Sequence, residues 1–165
     1  YESENVLPSA QVQSLNSAVR ETLVEGNPRL LAALGPVIVR NVNRFNLRRL
    51  YLELAGIGLE RRLAWLIENI YNTIAEQLPH TSPKWSKPYR RAIVVLEPFL
   101  DFVKAQAPLA SASTWDSDIL DADIRSKQSL AKVREASSDT SKRWGIVTSI
   151  QSSDFQTALE SARAD

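Results

Sequence analysis

Apolar residues recur at three- and four-residue steps through most of the first hundred residues, and this is the spacing of one face of an α-helix. The clearest run predicts an amphipathic helix over 59–78, ended by Pro79, at the centre of the fold. Its apolar face consists of Leu59, Leu63, Leu66, Ile67, Ile70, Ile74 and Leu78.

Three other segments carry the same periodicity. Ser9 is a candidate N-cap for a helix over 9–25. A short helical element is expected over 29–34, between an Asn-Pro and a Gly-Pro pair. Residues 89–105 predict a further helix, with a bend at Pro98 because proline removes a backbone hydrogen bond.

Residues 37–54 fit two patterns. Alternating leucines at positions 50, 52 and 54 are typical of a strand, whereas Ile38, Val42 and Phe45 share one face of a helix. The length of the segment and its content of Arg and Leu favour a helix. The strand alternative stays open on the sequence alone.

The character of the chain changes beyond Pro108, since residues 111–165 hold twelve serines and few large apolar residues. We expect a linker over 109–117, a solvated helix over 118–136 and a last helix that begins near Ser153. The sequence therefore predicts an all-α fold, an antiparallel helical bundle of about four main helices with a more loosely packed helical C-terminal extension. The predicted divisions are an N-terminal leader over 1–8, the bundle over 9–108, and a Ser-rich linker with the helical extension over 109–165.

Several classes of site lack the residues they need. The chain has no cysteine, which rules out disulfides, thiolate nucleophiles and cysteine-bound metals. His80 is the one histidine, and no nucleotide-binding, zinc-protease or serine-hydrolase motif occurs. The aspartates at 116, 118, 121 and 123 are interpreted as charges near a helix N-terminus, which they would stabilise. We expect no enzyme activity, no metal site and no cofactor.

Chain start and hydropathy bear on the compartment. The sequence starts at Tyr1 and has no methionine, so we expect a processed or trimmed chain, and an organelle lumen or another targeted compartment fits that expectation. No apolar stretch approaches the roughly 20 residues that span a bilayer. The compartment itself cannot be assigned from the sequence.

Positive charge is concentrated in the middle of the chain. Residues 40–91 carry ten Lys and Arg against four Glu, a net charge of +6, whereas residues 1–39 and 92–165 carry −2 and −3. If 37–54 is helical, Arg40, Arg44 and Arg48 form one stripe, because residues four apart share a helix face. The other candidate binding residues are Arg61, Arg62, Lys84, Trp85, Lys87, Tyr89, Arg90 and Arg91.

Such a surface suits two kinds of partner, and a solvated helix face with local ion pairs is the plainer alternative. An acidic protein surface would be bound by Arg, Trp and Tyr anchors. Nucleic acid or an anionic lipid surface would be bound through its phosphates, with Trp85 and Tyr89 stacking on bases. Trp115 and Trp144 are candidate anchors for the tail, on its own bundle or on a partner. We therefore predict an accessory subunit of a larger assembly, which could be membrane-associated, with a polyanion-binding nucleoprotein or coat-type subunit as the alternative.

Overall fold

The computed structural model describes residues 2–106 and 117–164, with side chains from residue 14 onward. Helices account for most of these residues, so the predicted all-α class is confirmed. The helices are α1 Glu2–Glu25, α2 Pro28–Arg40, α3 Leu47–Ala55, α4 Glu60–Gln77, α5 Pro83–Gln106, α6 Lys127–Ala136, α7 Asp139–Arg143 and α8 Ser152–Ala164; short 3-10 turns occupy Val42–Arg44 and Leu78–His80.

Helix α4 is the centre of the core, as its apolar periodicity predicts. Leu63, Trp65 and Ile70 are completely buried, and even polar positions such as Asn69 lie inside. Helices α3, α5, α7 and α8 all pack against it. A helix surrounded in this way buries side chains around most of its circumference, including polar ones. The buried side chains of Asn69 and Thr73 each donate a hydrogen bond to a backbone carbonyl of α4 itself, which offsets the cost of burying them.

The segment 37–54 is neither one helix nor a strand. Helix α2 continues through Gly35 and Pro36 to Arg40, where Asn41 forms its C-cap. After the 3-10 turn, the Asn46 side chain accepts a 3.1 Å hydrogen bond from the Arg49 amide and starts α3. Two asparagines with local side-chain bonds thus interrupt what periodicity alone joins.

The C-terminal region is part of the main core, so the prediction of a loosely packed extension is wrong for the residues described. Phe155 is fully buried and Leu159 is 2% exposed. Both lie against Gly35 of α2, and Phe155 meets the Trp65 ring edge-on at 5.8 Å between centroids. Helix α8 therefore packs on α2 and α4 as one of the main helices.

Residues 118–126 are not helical, contrary to expectation. Asp118–Ile119 (β1) pairs in parallel with Ile146–Val147 (β2) as a two-stranded sheet. Helix α6 begins only after Ser126, whose hydroxyl accepts from the Ser129 amide. Gly26 fits against this region with a φ of +74°, and a Cβ on it would lie 1.9 Å from the Leu120 carbonyl oxygen.

The two ends of the chain also differ from the predicted boundaries. Helix α1 already begins at Glu2, so the residues predicted as a leader are helical from there, and Ser9 is not its N-cap. The tail anchor proposed at Trp115 lies outside the described residues. None of the described helices combines the length and the apolar character that crossing a bilayer requires.

Candidate basic interface

The three arginines of the predicted stripe do not lie on one helix. Arg40 ends α2, Arg44 ends the 3-10 turn, and Arg48 is the second residue of α3. The prediction of a continuous helical stripe is therefore wrong. The break at Asn41 and Asn46 is its physical cause.

Tertiary packing nevertheless brings this segment alongside α5. The guanidinium carbon of Arg40 lies 5.4 Å from the centre of the Trp85 ring, near the start of α5. That of Arg48 lies 4.6 Å from the Phe102 ring, near its end. The two rings are 17 residues apart, about 25 Å along the helix. The 3-10 turn that carries Arg44 also packs against α5. The three arginines therefore belong to different elements, but all three of these elements lie beside α5.

The first turns of α5 supply the rest of the basic residues. The helix begins at Pro83, so Lys84 to Pro88 are helical and not the loop that their prolines suggest. Proline is compatible with the first turn because the amide hydrogens there have no intrahelical acceptor. Lys84, Lys87, Arg90 and Arg91 are all exposed. The Lys84 ammonium lies 5.9 Å from the same Trp85 ring that Arg40 covers.

Seven of these cations have no carboxylate partner among the residues described. Some cations elsewhere are paired, as in the Arg20–Glu53, Arg62–Asp118 and Lys104–Glu68 salt bridges, whereas others, such as those of α6, have no salt bridge among the described residues either. We call the seven unpaired cations on and beside α5 the basic face. It consists of Arg40, Arg44, Arg48, Lys84, Lys87, Arg90 and Arg91.

Arg62 is a structural residue and not part of an accessible surface. It is 8% exposed and forms two 2.8 Å hydrogen bonds to the Asp118 carboxylate. It also donates a 2.7 Å bond to the Leu23 carbonyl, at the end of α1. The neighbouring Arg61 is half-buried and donates a 2.9 Å bond to the Trp144 carbonyl. The predicted binding role of this pair is thus replaced by a role in joining α4 to α1, β1 and the C-terminal region.

Tyr89 is also removed from the predicted surface. It is 1% exposed, and its hydroxyl accepts a 2.5 Å hydrogen bond from Arg163 of α8. The guanidinium of Arg163 lies 5.8 Å from the Tyr89 ring, and Arg40 donates to the Ala162 carbonyl one residue away. Sequence reasoning missed Arg163, since nothing local indicates that the last helix ends beside α5. The predicted pair of exposed stacking rings is therefore reduced to Trp85, which is half-buried.

Trp144 anchors the C-terminal region on its own bundle. The residue is 4% exposed and belongs to the main core cluster. Of the two alternatives open for this residue, the structure selects contact within the chain. Trp144 is therefore not free to act as an anchor on a partner.

Two further polar residues, Asp121 and Tyr51, have distinctive surroundings. Asp121 is 2% exposed and accepts hydrogen bonds from the Thr148 and Ser149 hydroxyls, at 2.5 and 2.6 Å. Burial, and secondarily the charge of Glu60, raises the pKa of Tyr51 above its ordinary value of 10.0. Within residues 2–106 and 117–164, no three acidic or histidine side chains are grouped so that they could hold a metal ion.

A shallow groove between α3 and α5 adds an apolar element to the basic face. Its lining includes Phe45, Leu47, Val95 and Phe99 together with Arg48.

No protein-family model matches the chain, and neither a curated protein nor a solved structure shows significant similarity to it. The function of the protein is therefore inferred from this surface.

Proposed function

We propose that this protein is a non-enzymatic interaction protein, an accessory subunit that docks on an acidic partner protein through the basic face. One observation carries the proposal: seven exposed cations are concentrated on and beside α5, and none of them has a carboxylate partner in the described chain. No salt bridge within the described residues offsets their mutual repulsion. An acidic partner would relieve it and would be attracted at long range.

A protein partner is favoured over nucleic acid by the state of the aromatic rings. Stacking on bases needs accessible rings. Tyr89 is buried, and Trp85 is half-buried with Arg40 and Lys84 over its ring. The groove beside Arg48 instead offers apolar walls next to a positive charge. That combination suits an acidic side chain followed by an apolar one.

Charge reversal on the groove side tests the proposal. In the variant Arg44→Glu/Arg48→Glu, both side chains are exposed, so the fold should be retained. The matched control is Lys132→Glu/Arg134→Glu, which makes the same change of net charge on exposed positions of α6. Affinity-tagged wild-type protein is returned to its native source and co-purifying proteins are identified by mass spectrometry. The partner is then purified and its affinity for the wild type and for both variants is measured directly.

We expect the Arg44→Glu/Arg48→Glu variant to bind the purified partner about tenfold or more weakly, and the control to bind like the wild type. Equal affinity for all three proteins would contradict the proposal. Single-stranded RNA and anionic vesicles are measured in parallel at low salt. Binding to either that falls steeply with salt and is lost in the same variant would replace the protein partner by a polyanion.

A further inference from the structure

The outer surface of α5 has an arrangement of charge that the proposed function uses only in part, since its carboxylates lie outside the basic face. Five exposed residues at steps of three and four follow one side of the helix, and we call them the outer strip. Val94, in the middle, is 71% exposed, the most exposed large apolar side chain among the described residues. The outer strip consists of Lys87, Arg90, Val94, Glu97 and Asp101.

The charges of the outer strip are sorted rather than mixed. The two cations precede Val94 and the two carboxylates follow it. Like charges one turn apart on a helix repel each other, so this order is unfavourable within one molecule. None of the four charged side chains forms a salt bridge or a side-chain hydrogen bond with another described residue.

The spacing makes the outer strip complementary to itself. Lys87 and Asp101 are each seven residues from Val94, about 10.5 Å along the helix axis. Arg90 precedes Val94 by four residues and Glu97 follows it by three, and at 3.6 residues per turn both lie to the same side of the strip. If two copies of α5 are related by a two-fold axis perpendicular to the helix at Val94, the cations of each copy therefore lie opposite the carboxylates of the other.

We propose that α5 binds α5 of a second copy of this chain, antiparallel, about that two-fold axis. Val94 contacts Val94 of the second copy. Lys87 faces Asp101 of the second copy, and Arg90 faces its Glu97. The symmetry repeats each ion pair, so four intermolecular salt bridges surround one apolar contact, as expected for an isologous dimer interface.

The dimer is a weak one. Stable interfaces bury about 1,200–2,000 Å² in total, and contact along a single helix falls below that range. We expect a dissociation constant that is roughly micromolar or weaker. Added salt should weaken the dimer further, because the ion pairs lie at an exposed surface. Arg40, Arg44 and Arg48 take no part in it, whereas Lys87 and Arg90 belong to both surfaces, so a partner that covers these two residues would compete with the dimer.

Two charge-reversal variants of the full chain test the register by sedimentation velocity over a range of concentrations. Lys87→Glu/Arg90→Glu makes the outer strip wholly acidic, and Glu97→Lys/Asp101→Lys makes it wholly basic. Each alone should remain monomeric where the wild type dimerises, with a dissociation constant raised about tenfold or more. Mixed together, the two variants should form a heterodimer, since every opposed pair is then complementary.

A wild type that stays monomeric at the highest concentrations would overturn the proposal. So would a dimer that survives in both variants, or a mixture of variants that fails to associate. Circular dichroism before each run verifies that the variants are folded, which the exposure of all four positions leads us to expect.

A second measurement leaves the charges intact. The chain contains no cysteine, so Val94→Cys introduces a single thiol on the proposed axis. Mild oxidation should convert this variant to a disulfide-linked dimer faster than the control Leu52→Cys, whose position on α3 is 64% exposed. Cross-linking of Val94→Cys that is no faster than that of the control would refute the two-fold contact.

Discussion

Arg62 is the residue whose predicted and observed roles differ most, and its replacement gives a sharp test. The variant Arg62→Leu removes the two hydrogen bonds to Asp118 and the bond to the Leu23 carbonyl. It also leaves the Asp118 carboxylate, whose side chain is 13% exposed, without its cation. Leucine fills part of the volume, so the loss is mainly electrostatic.

The expected cost follows from the degree of burial. Removing one partner of a buried ion pair costs about 3–5 kcal/mol, because the other charge stays desolvated and uncompensated. Only 10% and 13% of the Arg62 and Asp118 side chains are exposed, so we expect the loss of stability to lie near that range. The exposed pair Arg49–Glu53 is the natural comparison, since the Arg49 side chain is 77% exposed. Arg49→Leu should cost less than about 1 kcal/mol.

Urea unfolding at neutral pH, followed by circular dichroism, measures both free energies of unfolding. A double-mutant cycle with Asp118→Asn isolates the pair, and the double variant should lose less than the sum of the single variants because no buried charge remains. A loss for Arg62→Leu no greater than that for Arg49→Leu would refute the structural role of Arg62. It would also return Arg62 to the set of candidate binding residues.

Three further changes test the fold. Gly26→Ala should lower the free energy of unfolding clearly more than Gly58→Ala. Both glycines have a φ of +74°, but only at Gly26 would the new methyl group meet backbone atoms. Equal free energies of unfolding for the two variants would contradict this. Phe155→Ala should cost about 3–5 kcal/mol in the same assay, whereas a loss below about 1 kcal/mol would favour a loosely attached C-terminal region. Stability should fall as pH rises above about 10, because burial and then the charge of Glu60 raise the pKa of Tyr51 only in the folded state. In Tyr51→Phe this alkaline loss should be smaller; an unchanged pH profile would contradict the assignment.

Periodicity was enough to find the centre of the molecule. The apolar run over 59–78 corresponds to α4, Glu60–Gln77, which differs from the prediction by one residue at each end. It succeeds because a helix in the middle of a bundle repeats its apolar positions over five turns. The concentration of cations in residues 40–91 is likewise a property of the sequence, and seven of the ten remain without a described carboxylate partner.

Local capping and proline chemistry explain the wrong boundaries. Asn41 and Asn46 interrupt a segment that periodicity joins, and Pro83 begins a helix where three prolines suggest a loop. A wrong helix boundary also assigns the following side chains to the wrong face, because a break in a helix changes the direction of the chain after it. The stripe of three arginines was lost in this way.

Which cations stay available to a partner was decided only by tertiary structure. Arg62 and Arg91 look alike in the sequence, but Arg62 meets Asp118, 56 residues away, while Arg91 stays exposed. Likewise the serine-rich C-terminal region appears weakly apolar by composition, although Phe155 and Leu159 complete the core around Gly35. Composition and periodicity fix what each segment can bury and how much charge it carries. Which groups lose water and which keep it depends on contacts between residues far apart in the chain, and no local pattern encodes those contacts.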